Sequence, residues 1–550
     1  MRDGSFRVLL VGLMAMSLPL WATKTTEDIL RVDGGTISAG LTGTHGLRVF
    51  KGIPYAAAPV GNLRWREPQP VVPWRGVRKA DAAPKNCIQM GYTKGSYYQL
   101  EFYHEPTPIS EDCLYLNVWT PAHSSEEKRP VMVWIHGGGF AQGSGSTPSQ
   151  SGEGLAQRGV VVVTFNYRLG VFGLLAHPEL TQESEHHSSG NYALMDQIAA
   201  LRWVQKNIAA FGGDPRNVTV FGQSAGAISA ALLLTSPLAK GLFARVVGES
   251  EGFAARDQTL QEAEQQGVQL GKKIGAMTLA ELRAVPAEEL LKATDRQFRP
   301  IIDGYVLPGD VYSAFASGRQ IRVPVLVGSN ANERGNYPQP KDRHEYLEYT
   351  RRQYPDAVNE VMRIFPASTD EQATRTYLIR QRDWVAANMH TWAKFMSKTG
   401  MPAYLYYFDR KPPARAGETP LGAVHTSEIV YFRNTLDTVD RPWTPQDRKL
   451  SQTMSSYLVN FATTGDPNSN GLPSWASYEP DQVMELGDNV GPIPTPDKDE
   501  LAWFEEYFAK QHSQPTRATG ATSFSPPRGT RSDSLLNNSK IPFPAFPRQR

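Results

Sequence analysis

The sequence predicts an α/β fold: a large central, mostly parallel sheet flanked by helices. Two observations predict it. PVMVWI (130–135), GVVVVTF (159–165), NVTVFG (217–222), ARVVG (244–248) and PVLVG (324–328) are β-branched apolar runs of strand length, each bounded by Gly, Pro, Asn or Asp. Their hydrophobicity is continuous, as strands covered on both faces require. Helical patterns alternate with them: from Leu194 to Ala210, the residues Leu194, Leu201, Trp203, Val204 and Ile208 share an apolar side.

The remaining elements follow in chain order. Arg2 and Arg7 precede an apolar stretch from Val8 to Ala22, after which the chain turns polar. About 15 apolar residues are short for a membrane span, which needs roughly 20. This pattern predicts a secretory signal peptide over residues 1–22, cut after Ala22, and so a secreted or periplasmic chain with no membrane span once mature. Val32 to Lys79 reads as short extended segments broken by Gly and Pro. Residues 255–295 and 340–400 are rich in Glu, Gln, Arg and Lys and predict surface helices inserted into the core, and AYLYYF (403–408) predicts a late strand. One domain is expected over 23–511. From His512 to residue 550 the sequence is Pro-, Ser- and Arg-rich without periodicity, which predicts a disordered tail.

Charge and cysteines bound the partners. The 57 basic and 55 acidic residues leave a net charge of +2, which gives no reason to expect nucleic acid or an anionic membrane as partner. Cys87 and Cys113 are the only two cysteines. Export would permit a bridge between them, which stabilises by about 3–4 kcal/mol on the loop-entropy model; two buried thiols are the other reading.

The chemistry centres on Val218 to Ala227, a strand running through Gly222-Gln-Ser-Ala-Gly226 into an Ala-rich helix. A serine hydroxyl needs exposure and an adjacent base to act as a nucleophile. A G-x-S-x-G turn between strand and helix exposes Ser224 at a helix N-terminus, the two glycines allowing a tight bend. His136-Gly-Gly-Gly-Phe140 follows another strand and leaves backbone N–H groups free for a developing oxyanion, with Gly138, Gly139 and Ala225 as the expected donors. A phosphate loop would end in Gly-Lys-Ser/Thr, and here Phe140-Ala141 follows.

The base is sought among eleven histidines. His136 belongs to the oxyanion loop, and His186 and His187 lie in a polar loop. His425, in Gly422-Ala-Val-His-Thr-Ser-Glu428, is the best placed, although structural histidines are common. In an α/β-hydrolase the acid lies between nucleophile and histidine, at a strand end. Glu333, following PVLVG, fits that order; taken alone, a carboxylate so placed is more often a solvated loop charge than an orienter.

With those residues in hand, the chain resembles the type B carboxylesterase and cholinesterase family from about residue 30 to 510. FKGIPYAAAPVGNLRW (50–65), SEDCLYLNVWTP (110–121), WIHGGGF (134–140), GNYALMDQIAALRWVQKNIAAFGGDP (190–215), FGQSAGA (221–227) and FATTGDPN (461–468) match its patterns in order. The resemblance implies an α/β-hydrolase fold with helical insertions around a gorge. It also implies a triad of Ser224, Glu333 and His425, an oxyanion hole of Gly138, Gly139 and Ala225, and a Cys87–Cys113 disulfide. Ser250 matches a serine placed near the triad in a supporting role. No metal or cofactor is implied.

Departures from the pattern bear on substrate. Gln223 stands where many members carry Glu, which removes an attraction for cationic substrates. No Trp lies between the cysteines, and Tyr103 falls where cholinesterases hold theirs; Tyr is the weaker cation–π partner. Arg334 stands where the family has Gly, and pairing with Glu333 would weaken the hold on the histidine. The expectation is a serine carboxylesterase acting on small uncharged esters through an acyl-enzyme. An amidase or thioesterase with the same triad, or a non-catalytic adhesion-type member, are the alternatives.

Overall fold

The apolar runs noted above become strands of one mixed sheet. A computed structural model of the chain describes residues 28–42, 46–102, 108–254, 257–294 and 298–513. The expected signal peptide, Tyr103 and all but the first two residues of the expected tail lie outside the described residues. Among the described residues, the sheet has eleven strands: β1 (Leu41–Thr42), β2 (Arg48–Pro54), β3 (Tyr115–Thr120), β4 (Arg129–Ile135), β5 (Val161–Phe165), β6 (Gly213–Gln223), β7 (Arg245–Glu249), β8 (Val325–Asn330), β9 (Ala403–Phe408), β10 (Gln482–Leu486) and β11 (Val490–Pro494). Their spatial order is β11-β10-β9-β8-β7-β6-β4-β5-β3-β2-β1. Every neighbouring pair from β10 to β5 is parallel. The flanking pairs are antiparallel.

Continuous hydrophobicity has the expected cause. In β4 the side chains of Val131, Val133 and Ile135 join one buried cluster, while Met132 and Trp134 join the cluster on the opposite face. Each face must therefore be apolar, which removes the alternation seen in half-exposed strands. Helix Tyr192–Asn207 covers the pattern read from Leu194 onward and ends in a 3-10 turn, Ile208–Phe211.

Two boundaries differ from the sequence reading. Helix Asp370–Lys398 is no surface insertion: it packs on β8 and β9, with Val385, Met389, Trp392 and Met396 buried. Its polar residues misled because several, such as Arg380, Asp383 and Asn388, are buried with it. Gly248 in β7 makes this packing possible, since a Cβ there would lie 2.5 Å from the Trp392 ring. Helix Lys498–Ser513 also includes His512, which the sequence places in the expected tail. Among the described residues, no helix is long and apolar enough to cross a membrane.

Register decides where the chemistry falls. Ile135 of β4 pairs with Gly222 of β6, Gln223 with Glu249 of β7, and Glu249 with Gly328 of β8. The carboxyl ends of four adjacent parallel strands are thus level. The loops leaving them converge at one edge, where open α/β sheets hold their sites.

Candidate active site

Ser224 leaves β6 in a strained conformation, φ 56° and ψ −123°, and caps helix Ala225–Thr235. Its N–H donates to Glu249 O at 2.8 Å and its carbonyl accepts from Ile228 N at 2.9 Å, so both sides of the turn are held. The positive φ sits on the serine and not on Gly222 or Gly226, which corrects the reading that the glycines supply the bend. They permit close approach instead. A Cβ on Gly226 would stand 2.0 Å from Ile135 O, and one on Gly222 would stand 2.6 Å from the Gly226 backbone. A residue held off its preferred backbone this way is characteristic of a nucleophile elbow.

The His136-Gly-Gly-Gly loop is pressed against that elbow. A Cβ on Gly137 would meet Gln223 O at 2.7 Å and Ser224 Cβ at 3.2 Å. Gly138 and Gly139 take φ values of 107° and 63°, which favour glycine. Among the described residues, no carbonyl or side chain takes up the N–H groups of Gly138, Gly139 or Ala225. His136 itself is buried against Tyr167, with ring centroids 4.3 Å apart, and burial lowers its pKa to about 4. It stays neutral, Nδ1–H donating to Gly137 O at 2.9 Å, and serves the loop's shape. His186 stacks on Tyr305 and His187 is exposed.

Glu333 and His425 meet despite their distance in the chain. Glu333 Oε2 accepts from His425 Nδ1 at 2.7 Å, and Glu333 Oε1 accepts from Asn330 N at 2.7 Å. The two loops are laced by backbone and amide bonds: Asn332 N donates to Ala423 O at 3.0 Å and Asn330 Nδ2 to Val424 O at 2.9 Å. With Nδ1–H directed at the carboxylate, Nε2 carries the lone pair. Gln223 Nε2 lies 3.2 Å from that Nε2 and donates to it. Among the described residues, Ser224 Oγ makes no hydrogen bond to His425; such contacts often tighten only with substrate bound.

Behind this group lies a second set of acids. Ser250 Oγ donates to Glu428 Oε1 at 3.3 Å, and Asn330 Nδ2 donates to the other Glu428 oxygen. Burial first, and then the charge of Glu333, hold the Glu428 carboxyl well above the usual range. Burial and Glu428 do the same to Glu249, opposed by Arg433, whose own pKa burial lowers to about 9. Glu428 lies in the histidine loop, where nothing local in the sequence distinguishes a buried carboxylate from a solvated one.

Arg334 does not take Glu333 from the histidine. Its guanidinium pairs with Glu251, and it donates to the Glu333 backbone carbonyl at 3.3 Å. Cys87 and Cys113 are bridged, with Cα atoms 5.0 Å apart. The loop they close carries helix Tyr97–Phe102, whose Tyr98 ring packs on Tyr337 at 5.8 Å, next to His425. Among the described residues, no three His, Cys, Asp or Glu side chains are grouped to hold a metal ion.

This arrangement invites comparison with known proteins. The sequence profile described as "Carboxylesterase family" matches residues 27–501. The chain belongs to the carboxylesterase family. It is 38% identical over 503 residues to the fumonisin B1 esterase of Sphingopyxis macrogoltabida, covering 87% of this chain and 90% of that one. It is 36% identical over 483 residues to the para-nitrobenzyl esterase of Bacillus subtilis (strain 168), covering 82% and 93%. A solved thermophilic PNB esterase superposes with a TM-score of 0.76 at 32% identity, covering 87% of this carboxylesterase and all of the other chain. The fold is therefore that of the α/β-hydrolases, and this family member is a carboxylic ester hydrolase.

Proposed function

We propose that this carboxylesterase cleaves uncharged esters in two acyl-transfer steps, with Ser224, His425 and Glu333 as its triad. The observation that carries the reading is the 2.7 Å contact between Glu333 and His425 Nδ1, with Nε2 3.2 Å from the amide of Gln223, the residue before Ser224. In the first step His425 Nε2 takes the Ser224 proton while Oγ bonds to the ester carbonyl carbon. The carbonyl electrons move to oxygen, which accepts from the N–H groups of Gly138, Gly139 and Ala225. As the intermediate collapses, the C–O bond to the alcohol breaks and His425 returns the proton to the leaving oxygen. Water then attacks the acyl-enzyme, giving its proton to His425, and Ser224 leaves as its own oxygen is reprotonated.

Glu333 fixes the tautomer and stabilises the imidazolium formed in each step. Gln223 holds Nε2 in the resting state and yields to the serine hydroxyl when substrate enters. As a neutral amide it offers a cationic substrate no counter-charge, which favours uncharged esters. The Cys87–Cys113 bridge fits the export inferred from residues 1–22.

A fluorophosphonate probe tests the nucleophile: labelling of the wild type should be absent in Ser224→Ala. Labelling that survives the substitution overturns the assignment. A panel of aryl, short-chain and long-chain esters beside matched amides and thioesters tests the leaving group. Amides or thioesters turned over as fast as esters would make the alternative class correct.

A further inference from the structure

The residue after the acid is a buried arginine, and its surroundings are unusual for a solvated loop. Arg334 is buried, and its guanidinium pairs with the equally buried Glu251, which lies directly after Ser250. The pair ties the loop after β8 to the loop after β7. The Arg334 guanidinium carbon lies 4.9 Å from the Tyr337 ring centroid, and the Tyr337 ring meets the His425 ring edge-on at 6.1 Å. Asn336, on the same turn, donates to His425 O at 3.3 Å. One aromatic ring therefore touches both a fixed cation and the base.

We propose that Arg334 and Glu251 are a self-cancelling pair of positioning residues: Arg334 holds Tyr337 against His425, and Glu251 cancels its charge, so that the cation does not displace the pH range in which His425 works as base. The proposal rests on His425 being that base. A lone guanidinium one ring away would oppose the positive charge that the imidazole takes on in each step, and a lone carboxylate would favour it. Paired, the two leave the Glu333–His425 contact governed by its own geometry.

Other charged and titratable groups are arranged around the same point. His425 faces Glu333 on one ring nitrogen and the neutral Gln223 on the other, with Glu428 behind Glu333. Arg334 is further faced by Tyr98 from helix Tyr97–Phe102 and by Tyr349 and Tyr377 from helices Arg343–Gln353 and Asp370–Lys398. The half-buried Arg299 also faces the pair. Burial would release the Arg334 proton, and Glu251 more than offsets it, so Arg334 remains charged.

The test is the pH profile of kcat/KM on a para-nitrophenyl ester for E251Q, R334Q, R334K and the double variant R334Q/E251Q. E251Q leaves the cation unopposed and should move the acidic limb down by about 0.5–1 pH unit, while R334Q should move it up by about as much. The double variant and R334K should return the limb to within about 0.2 unit of wild type, R334K because it restores the charge. Shifts of the same sign, or no shift in folded variants, overturn the proposal. Either single variant carries the sign alone, and the double variant, without buried charge, tests cancellation if one single variant does not fold. Fluorophosphonate labelling separates the two readings. Labelling that persists in Ser224→Ala defeats the triad, whereas Ser224-dependent labelling with unsplit limbs defeats only the pair.

Discussion

Glu333 Oε2 stands 2.7 Å from His425 Nδ1, with the carboxylate fully buried and the imidazole 1% exposed, although 92 residues separate them in the chain. The other oxygen of this enclosed carboxylate is held by Asn330 N. The contact fixes the tautomer that leaves Nε2 free to act.

Glu333→Gln keeps this shape and removes the charge that orients and stabilises the imidazolium. The expected outcome is a fall in kcat of about 10³–10⁴-fold at neutral pH with KM little changed. Steady-state kinetics on a para-nitrophenyl ester check it; a fall below tenfold would mean another carboxylate orients His425.

Gln223→Glu places a carboxylate 3.2 Å from the Nε2 that the amide now holds. A neighbouring negative charge favours the imidazolium, so the base is protonated at higher pH. The acidic limb of kcat/KM should therefore move up by about one unit or more, with choline esters gaining relative to isosteric neutral esters. No shift in a folded variant would place the side chain of residue 223 away from the imidazole.

Gly137→Ala tests the contact between the oxyanion loop and the nucleophile turn. The new Cβ would stand 2.7 Å from Gln223 O, so the loop must retreat from Ser224. Displaced donors should cost about 10²–10³-fold in kcat, and the overpacking about 1–3 kcal/mol in stability. Denaturant unfolding separates the two effects: kcat retained with stability lost would detach this loop from the oxyanion.

The end of helix Lys498–Ser513 should loosen in alkali. His512 is buried, with Nδ1 on Asp310 at 2.8 Å and Nε2 on Ala254 O at 3.2 Å. Both partners accept, so the ring must carry both protons. Burial opposes that charge, and Asp310 outweighs burial, raising the pKa above its ordinary 6.5. Burial also raises the nearby Asp257 to about 7 from an ordinary 3.8. Both raised groups act in one direction. The Asp257 contribution is present below pH 3.8 and lost as pH rises through about 7. The His512 contribution is present below 6.5 and lost above that as the ring deprotonates. Amide exchange of Lys498–Ser513 should therefore quicken from pH 7 to 9 beyond its intrinsic base dependence, and His512→Gln should flatten that excess. Unchanged protection across this range would contradict the assignment.

Much of the site was legible because its motifs are local. Ser224 follows from a strand, a G-x-S-x-G turn and a small-residue helix, and the Gly138–Gly139 loop from three glycines after a strand. Glu333 and His425 were candidates among many until resemblance ranked them, since nothing within either segment records that Asn332 and Val424 lie side by side. Arg334 shows the same limit. Sequence proximity suggested pairing with Glu333, but the fold supplies Glu251, 83 residues away, as its buried partner.

The sequence by itself determined the fold class, the family and the candidate nucleophile. These are written in runs of neighbouring residues: continuous apolar strands, tight glycine turns, and an order of motifs. Only the tertiary structure decided which distant groups share a buried space. It gave Ser224 the strained φ and left the flanking glycines for close approach, made helix Asp370–Lys398 part of the core, and set Glu428 behind Glu333. The physical reason is that strand register levels the ends of β4, β6, β7 and β8 at one edge. A carboxylate's partners and protonation depend on what that edge encloses, and no stretch of neighbouring residues specifies it.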